Sequence, residues 1–201
     1  TSSANANGFN LDNWLENRGP LATDFTHILN LAGIARIPGH LDLGLNFSYS
    51  SAPPFSAYLD GVDFNGDGTR GDLLPGSTVN AFNRGMDRKD LARLVSQFNA
   101  TDRKDASGAT IRAISLPERF QLDDHFHSLD LRLSRTFLFQ ERWRLTLIGE
   151  AFNVYNAANL SFPGNSGNLR SATFGQPTGR SSQVFGSGGP RAFQLAVKAN
   201  F

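Results

Sequence analysis

The sequence predicts an all-β fold: an antiparallel up-and-down meander of about five strands, with long polar loops and a short loop helix. Three observations predict it. Several stretches alternate apolar and polar residues with a period of two, the pattern of a strand whose faces meet different surroundings. The connections between these stretches are alternately very short and very long. The composition is rich in Phe (17) and Gly (20) and carries only 18% charged residues, a balance that favours β-structure joined by polar loops.

The first stretch runs from Phe25 to Ile37, with Phe25, Leu29, Leu31, Gly33, Ala35 and Ile37 on one parity and His27 interrupting it. Thr26, Asn30 and Arg36 lie on the other parity, with Ile28 and Ile34 mixed in. Pro38-Gly39 signals a turn. Leu41, Leu43, Leu45, Phe47 and Tyr49 then alternate cleanly with Asp42, Gly44, Asn46, Ser48 and Ser50, which predicts a hairpin. Pro53-Pro54 ends the second strand.

A long polar, Gly-rich region follows, at about 51–127. Within it Leu91, Leu94, Val95 and Phe98 recur at helical spacing, with Asp87 or Asp90 placed to cap the start. Alternation returns with Leu129, Leu131, Leu133, Phe137 and Phe139 against Ser128, Asp130, Arg132, Ser134 and Thr136. The short polar turn Gln140-Glu141-Arg142 leads to Trp143, Leu145, Leu147, Gly149 and Ala151 against Arg144, Thr146, Ile148, Glu150 and Phe152. A second long loop occupies about 156–190. The last strand sets Phe193, Leu195, Val197, Ala199 and Phe201 against Gln194, Ala196, Lys198 and Asn200.

Composition removes several classes. Lys+Arg is 19 and Asp+Glu is 18, so no strong basic field exists for nucleic acid, and none is expected as a partner. Cysteine is absent, which excludes disulfide scaffolds and thiolate metal sites. No apolar run is long enough for a membrane-spanning helix, but membrane-spanning strands leave little hydropathy signal. Phosphate loops, nucleophile elbows and zinc-protease motifs are missing, so no enzyme is expected.

Strands of about 10–13 residues suit a tilted bilayer crossing, which needs about 9–11. Strict alternation of short and long connections is the habit of an outer-membrane barrel, with short periplasmic turns and long extracellular loops. Tyr49, Phe137, Phe139, Trp143, Tyr155, Phe193 and Phe201 lie toward strand ends, where interfacial girdles collect aromatic rings. The alternative is a soluble sandwich that buries the same residues. Five such strands are too few to close a barrel, so the expectation is part of a larger transmembrane β-barrel. Residues 1–23 would be a preceding extracellular loop, and 24–201 the C-terminal strands.

Asp130-Leu-Arg-Leu-Ser-Arg-Thr-Phe137, Trp143-Arg-Leu-Thr-Leu and Glu150-Ala-Phe-Asn-Val-Tyr-Asn156 resemble the closing strands of TonB-dependent outer-membrane receptors. The closest kind is the Oar-like group, which carries a carboxypeptidase-regulatory-like domain. Asp24-Phe-Thr-His27, Ile37-Pro-Gly, the Asp63-Phe-Asn-Gly-Asp-Gly68 loop and terminal Phe201 look like the same group. The resemblance covers most of residues 24–201. It implies a plugged barrel of about 22 strands in the outer membrane of a Gram-negative cell. It implies energy-coupled uptake of a large or scarce substrate. The implied partners are outer-membrane lipid, the rest of the barrel, the plug, the barrel assembly machinery and TonB. The plug and the TonB-contacting box lie N-terminally in that family, outside this sequence.

Four sets of residues are candidate sites. Asp63, Asn65, Asp67, the Thr69 backbone and Asp72 offer oxygen donors at calcium-loop spacing, with Leu74 where an EF-hand would have its last Glu. The plain alternative is an Asn/Gly/Asp turn. Asp123, Asp124, His125 and His127 offer a weaker transition-metal pattern. Asp130, Arg132, Arg144, Thr146, Glu150, Gln194 and Lys198 form the polar face, read as lumen-facing, with a ladder of solvated ion pairs as the alternative. Phe193, Leu195, Val197 and Phe201 keep strict period to the last residue. In the resembled family such a strand is the signal that the assembly machinery recognises, by strand addition. A second functional class stays open: a secreted or cell-surface β-rich adhesion module stabilised by Ca²⁺.

Overall fold

A computed structural model describes residues 8–118, 120–122, 125–139, 142–161, 167–176, 179–180 and 188–201. In chain order the elements are β1 (Ile28–Ile37), β2 (Leu41–Ser50), α1 (Arg88–Asn99), β3 (Phe126–Phe139), β4 (Trp143–Phe152), β5 (Leu160–Ser161), β6 (Gly179–Arg180) and β7 (Ala192–Asn200). The chain divides into two compact units.

The first unit is a five-stranded antiparallel sheet in the order β1-β2-β3-β4-β7, with the two-residue strands β5 and β6 paired beside each other. The meander expected from alternation is therefore present. β1 starts at Ile28 and not at Phe25, because the Phe25 N–H bonds back to the Thr23 carbonyl in a local turn. The sheet end is closed one residue later, where Ser51 N–H donates to the His27 carbonyl and His27 N–H to the Ser51 hydroxyl.

β1 and β2 are joined through Pro38-Gly39-His40, where Gly39 and His40 both take positive φ (91° and 58°). That reversal leaves Ile37 opposite Leu41. In the β3–β4 turn Gln140 and Glu141 lie outside the described residues, and Phe139 pairs with Trp143 on either side of it.

Register does more than join the strands. In every pairing of the five-stranded sheet, odd-numbered residues face odd and even face even. Side chains directly opposite share a face, so the alternation seen strand by strand becomes one property of the whole sheet. Rows such as Ala35–Leu43–Leu133–Gly149–Leu195 cross all five strands.

The second unit consists of the described residues of Thr1–Thr26, Ala52–Asp124 and Phe162–Thr178. The sequence marks most of this region only as a long irregular loop, yet it has a hydrophobic core of its own. Leu59, Leu74, Phe82 and Leu91 are fully buried, and Phe82 stacks on Phe55 with ring centroids 5.3 Å apart. Helix α1 supplies the amphipathic wall: Leu91, Leu94, Val95 and Phe98 are its buried residues. Asp87 is its N-cap, accepting from Lys89 and Asp90 N–H while the Asp90 carboxylate accepts from Asp87 N–H, a capping box. Asn83 adds a clasp, its amide donating to the carbonyls of Pro53 and Leu122.

Candidate functional site

The two faces of the sheet differ chemically. Among the described residues, every buried hydrophobic side chain belongs to the loop unit and none to the five strands. Leu43, Leu45, Leu131, Leu145 and Val197 are part-exposed or exposed, as are the other odd-numbered apolar residues. On the edge strand β7, Leu195 is 89% and Val197 67% accessible. A soluble sandwich would bury these side chains.

The even face carries the polar residues, and the register sorts them into rows. Arg132, Glu150 and Gln194 are direct neighbours, with Gly44 beyond Arg132. The Arg132 guanidinium donates to Glu150 Oε1 at 3.2 Å. Thr136, Thr146 and Lys198 form the next such row but one, the two Thr hydroxyls 2.9 Å apart. Arg144 lies between Leu138 and Asn200. A depression of about 630 Å³ opens beside Asn46, Asp130, Arg132 and Glu150, with Ile34 and Phe152 on its wall. Gly44 lines it without a side chain.

Asp130 has a different role from its row-mates. Its Oδ1 accepts from Asn153 N–H at 2.8 Å and from the Ser128 hydroxyl at 3.1 Å. It thereby joins a buried polar clamp. Asn153 and Asn159 are 0% and 1% accessible, and both take a left-handed backbone (φ 46° each). The Asn153 amide donates to the carbonyls of Gly189 and Ala157. The Asn159 amide donates to those of His127 and Gly188, and His127 N–H returns a bond to Asn159 Oδ1. Gly188 N–H donates to the Ser128 hydroxyl. At Gly188 the backbone has φ 77°, and a Cβ would lie 2.2 Å from the Phe126 ring, so only glycine fits. This clamp holds the chain just before β7 against the ends of β3 and β4. Asn153, Asn156 and Asn159 all take positive φ, a region Asn enters more readily than most residues, but their spacing in the sequence does not name the carbonyls they reach.

Aromatic side chains gather at both ends of the odd face. At the short-turn end Phe139 pairs with Trp143, whose ring lies 5.3 Å from that of Phe201. At the other end Tyr49 is opposite His127, with Tyr155 6.2 Å from the His127 ring and His125 5.9 Å from Tyr49. The two imidazoles are thus in aromatic company. Asp123 and Asp124, the carboxylates of that metal pattern, lie outside the described residues.

In the Asp63–Asp72 loop the carboxylates accept hydrogen bonds from N–H groups. Asp63 accepts from Gly66 and Gly68, Asp67 from Leu11 and Thr69, and Asp72 from Phe64 and Asn65. Asn65 donates its amide to Asp67, and the Thr69 hydroxyl does the same at 2.6 Å. Burial works against ionisation of Asp67, yet the bonds from Thr69, Leu11 and Asn65 hold its carboxyl below the ordinary value. Asp72 is raised, first by burial, then by the charges of Asp67 and Asp63, against the pull of Phe64 and Asn65 N–H. Among the described residues no three acidic or imidazole side chains form a group able to hold a metal ion.

The described strands therefore make a sheet with one almost wholly apolar face and one mainly polar face, on which Ile28, Ile34 and Leu138 are exposed apolar exceptions. Aromatics gather at both ends of the apolar face. The model of a family described as outer membrane beta barrel domain matches residues 1–194. The chain belongs to that family. Neither the curated proteins nor the solved structures yield a match.

As an outer-membrane barrel domain, the sheet has suitable dimensions. His127 and Phe139, in the two aromatic rims, are both on β3. Their separation is about 40 Å along the strand, or about 30 Å of height at a tilt of about 40°. That brackets an apolar band of about 25 Å. β1 and β7 are the edge strands of the sheet, so Phe193, Leu195 and Val197 lie on an edge, on its apolar face. Membership in an outer-membrane barrel family puts the chain in a structural and transport class that is typically non-catalytic.

Proposed function

We propose that this domain is barrel wall of a TonB-dependent receptor of the Oar-like group, which takes up a substrate across the outer membrane of a Gram-negative cell. The observation that carries the reading is the consistent two-faced register, with apolar residues exposed on the odd face and the Arg132–Glu150–Gln194 row on the even face. Odd residues would meet lipid. Asp130, Arg132, Arg144, Glu150, Gln194 and Lys198 would meet the lumen, where the plug and the passing substrate are the available contacts. The connections at the long-loop end would be extracellular, and β7 with Phe201 would be read by the assembly machinery through strand addition.

The TonB-coupled part rests on the resemblance of Asp130–Phe137, Trp143–Leu147 and Glu150–Asn156 to closing receptor strands. The test is uptake or growth on candidate scarce substrates in a strain lacking the full-length protein, with and without TonB. Restoration by the gene only when TonB is present supports the reading. Restoration that is indifferent to TonB and to the proton gradient would leave a passive channel instead.

A further inference from the structure

The odd face carries one residue that does not belong with lipid tails. Arg135 lies on it, opposite Leu41 on one side and Leu147 on the other, in the row Ile37–Leu41–Arg135–Leu147–Val197. It is the only Asp, Glu, Lys or Arg among the odd-numbered residues of the five strands. A guanidinium facing hydrocarbon is costly at mid-depth and nearly free at the interface. The side chain resolves this by reaching toward the short-turn end, where its guanidinium carbon lies 4.9 Å from the centre of the Phe137 ring. It makes no ion pair among the described residues.

Beside it runs a groove of about 280 Å³ on the same face, lined by Leu41, Leu133, Phe137, Leu147 and Leu195 with Arg135 among them. Gly149, between Leu133 and Leu195, adds no side chain to that floor. β3 is the central strand with both neighbours in place, so the site is complete within this sheet.

We propose that Arg135 and this groove form a binding site for one glycerophospholipid, its phosphodiester on the guanidinium and an acyl chain over Gly149. The charge selects an anion, the apolar groove selects a chain attached to it, and the two occur together in a phospholipid. The short-turn end of an outer-membrane barrel is periplasmic, so the lipid comes from the periplasmic leaflet. The proposal rests on the odd face being the lipid face.

The test uses the full-length protein carrying this sequence, extracted in detergent, delipidated and titrated with dioleoyl-phosphatidylglycerol under native mass spectrometry. Dioleoylglycerol, which has the same chains and no phosphate, is the control. Arg135→Leu is expected to weaken phosphatidylglycerol retention about tenfold and to leave the control unchanged. Arg135→Lys should retain part of the binding. Gly149→Leu should weaken it with the charge intact, and these two variants carry the test if Arg135→Leu does not fold.

Equal retention by wild type and folded variants overturns the lipid site. So does a change of oligomeric state in Arg135→Leu with lipid binding unchanged, which would assign the guanidinium to a protein carboxylate. Recovery of the full-length protein in the soluble fraction without detergent would instead remove the membrane reading beneath the proposal. A detergent-requiring protein with Arg135-independent retention sinks the lipid site alone.

Discussion

The amide of Asn153 donates to the carbonyl of Gly189 at 2.6 Å, across 36 residues of chain, and both partners are buried. This bond ties the end of β4 to the residues that lead into β7, so the last strand is placed beside β4 by side-chain chemistry as well as by its own ladder. Asn153→Ala would leave the Gly189 and Ala157 carbonyls without these donors and put alanine at φ 46°. The Ala157 N–H, which donates to Asn153 Oδ1, would lose its acceptor as well, so the expected loss is about 2–4 kcal/mol, from three orphaned groups and a left-handed alanine. Urea unfolding of the full-length protein in detergent measures it, and an unchanged midpoint would show that the clamp is dispensable.

Arg132 and Glu150 are paired at 3.2 Å, but the Arg side chain is 54% accessible. Such a pair contributes only about 0.2–1 kcal/mol to stability. A double-mutant cycle with Arg132→Ala and Glu150→Ala should therefore show little coupling in stability. If the even face is the lumen, the same variants should alter uptake. Loss of stability with intact uptake would assign the pair to structure.

Asp72 gives the loop unit a pH dependence of definite sign. Its folded pKa is raised, first by burial, so the folded state binds the proton more tightly than the unfolded chain does. This contribution is fully present below the unfolded value, about 3.9, and is lost as pH rises through the folded value. Asp72→Asn keeps an oxygen for Phe64 and Asn65 N–H and removes the slope. Hydrogen exchange across residues 62–72, followed upward from about pH 4, should slow in the variant relative to wild type. The same exchange in both proteins would contradict the assignment.

Helix α1 should respond in the opposite direction. The Asp90 carboxyl is held low by the Asp87 N–H, then by Arg93. Its stabilising effect is present above the unfolded value and fades as pH falls through the folded one. Asp87→Ala removes the cap outright and should cost about 1 kcal/mol. Faster exchange confined to Arg88–Asn99 is the expected signature, and protection equal to wild type would deny the capping box any role.

Phe201 packs on Trp143 at the short-turn rim, with Phe193, Leu195 and Val197 behind it on the β7 edge. Deleting Phe201 should lower the amount of full-length protein in the outer membrane in cells, while urea-unfolded protein still refolds into detergent. Failure in detergent as well would make the contribution one of packing and not of recognition.

The alternation of residues such as Leu41 to Tyr49 or Phe193 to Asn200 was enough to reveal strands, faces and turns. A strand's two sides are written two residues apart, so that information is local. The same rule applied without a gap from Leu133 to Phe137 would have placed Arg135 on the apolar side. The helix at Leu91 to Phe98 was legible for the same local reason. Tertiary structure alone decided that the long loop carries a core built around Phe82, Leu59 and Leu74. It also decided that Asn153 meets Gly189, and that the Asp63–Asp72 carboxylates receive backbone N–H groups. Those partners are distant in sequence or are backbone atoms that every residue possesses, so no pattern of side-chain types announces them.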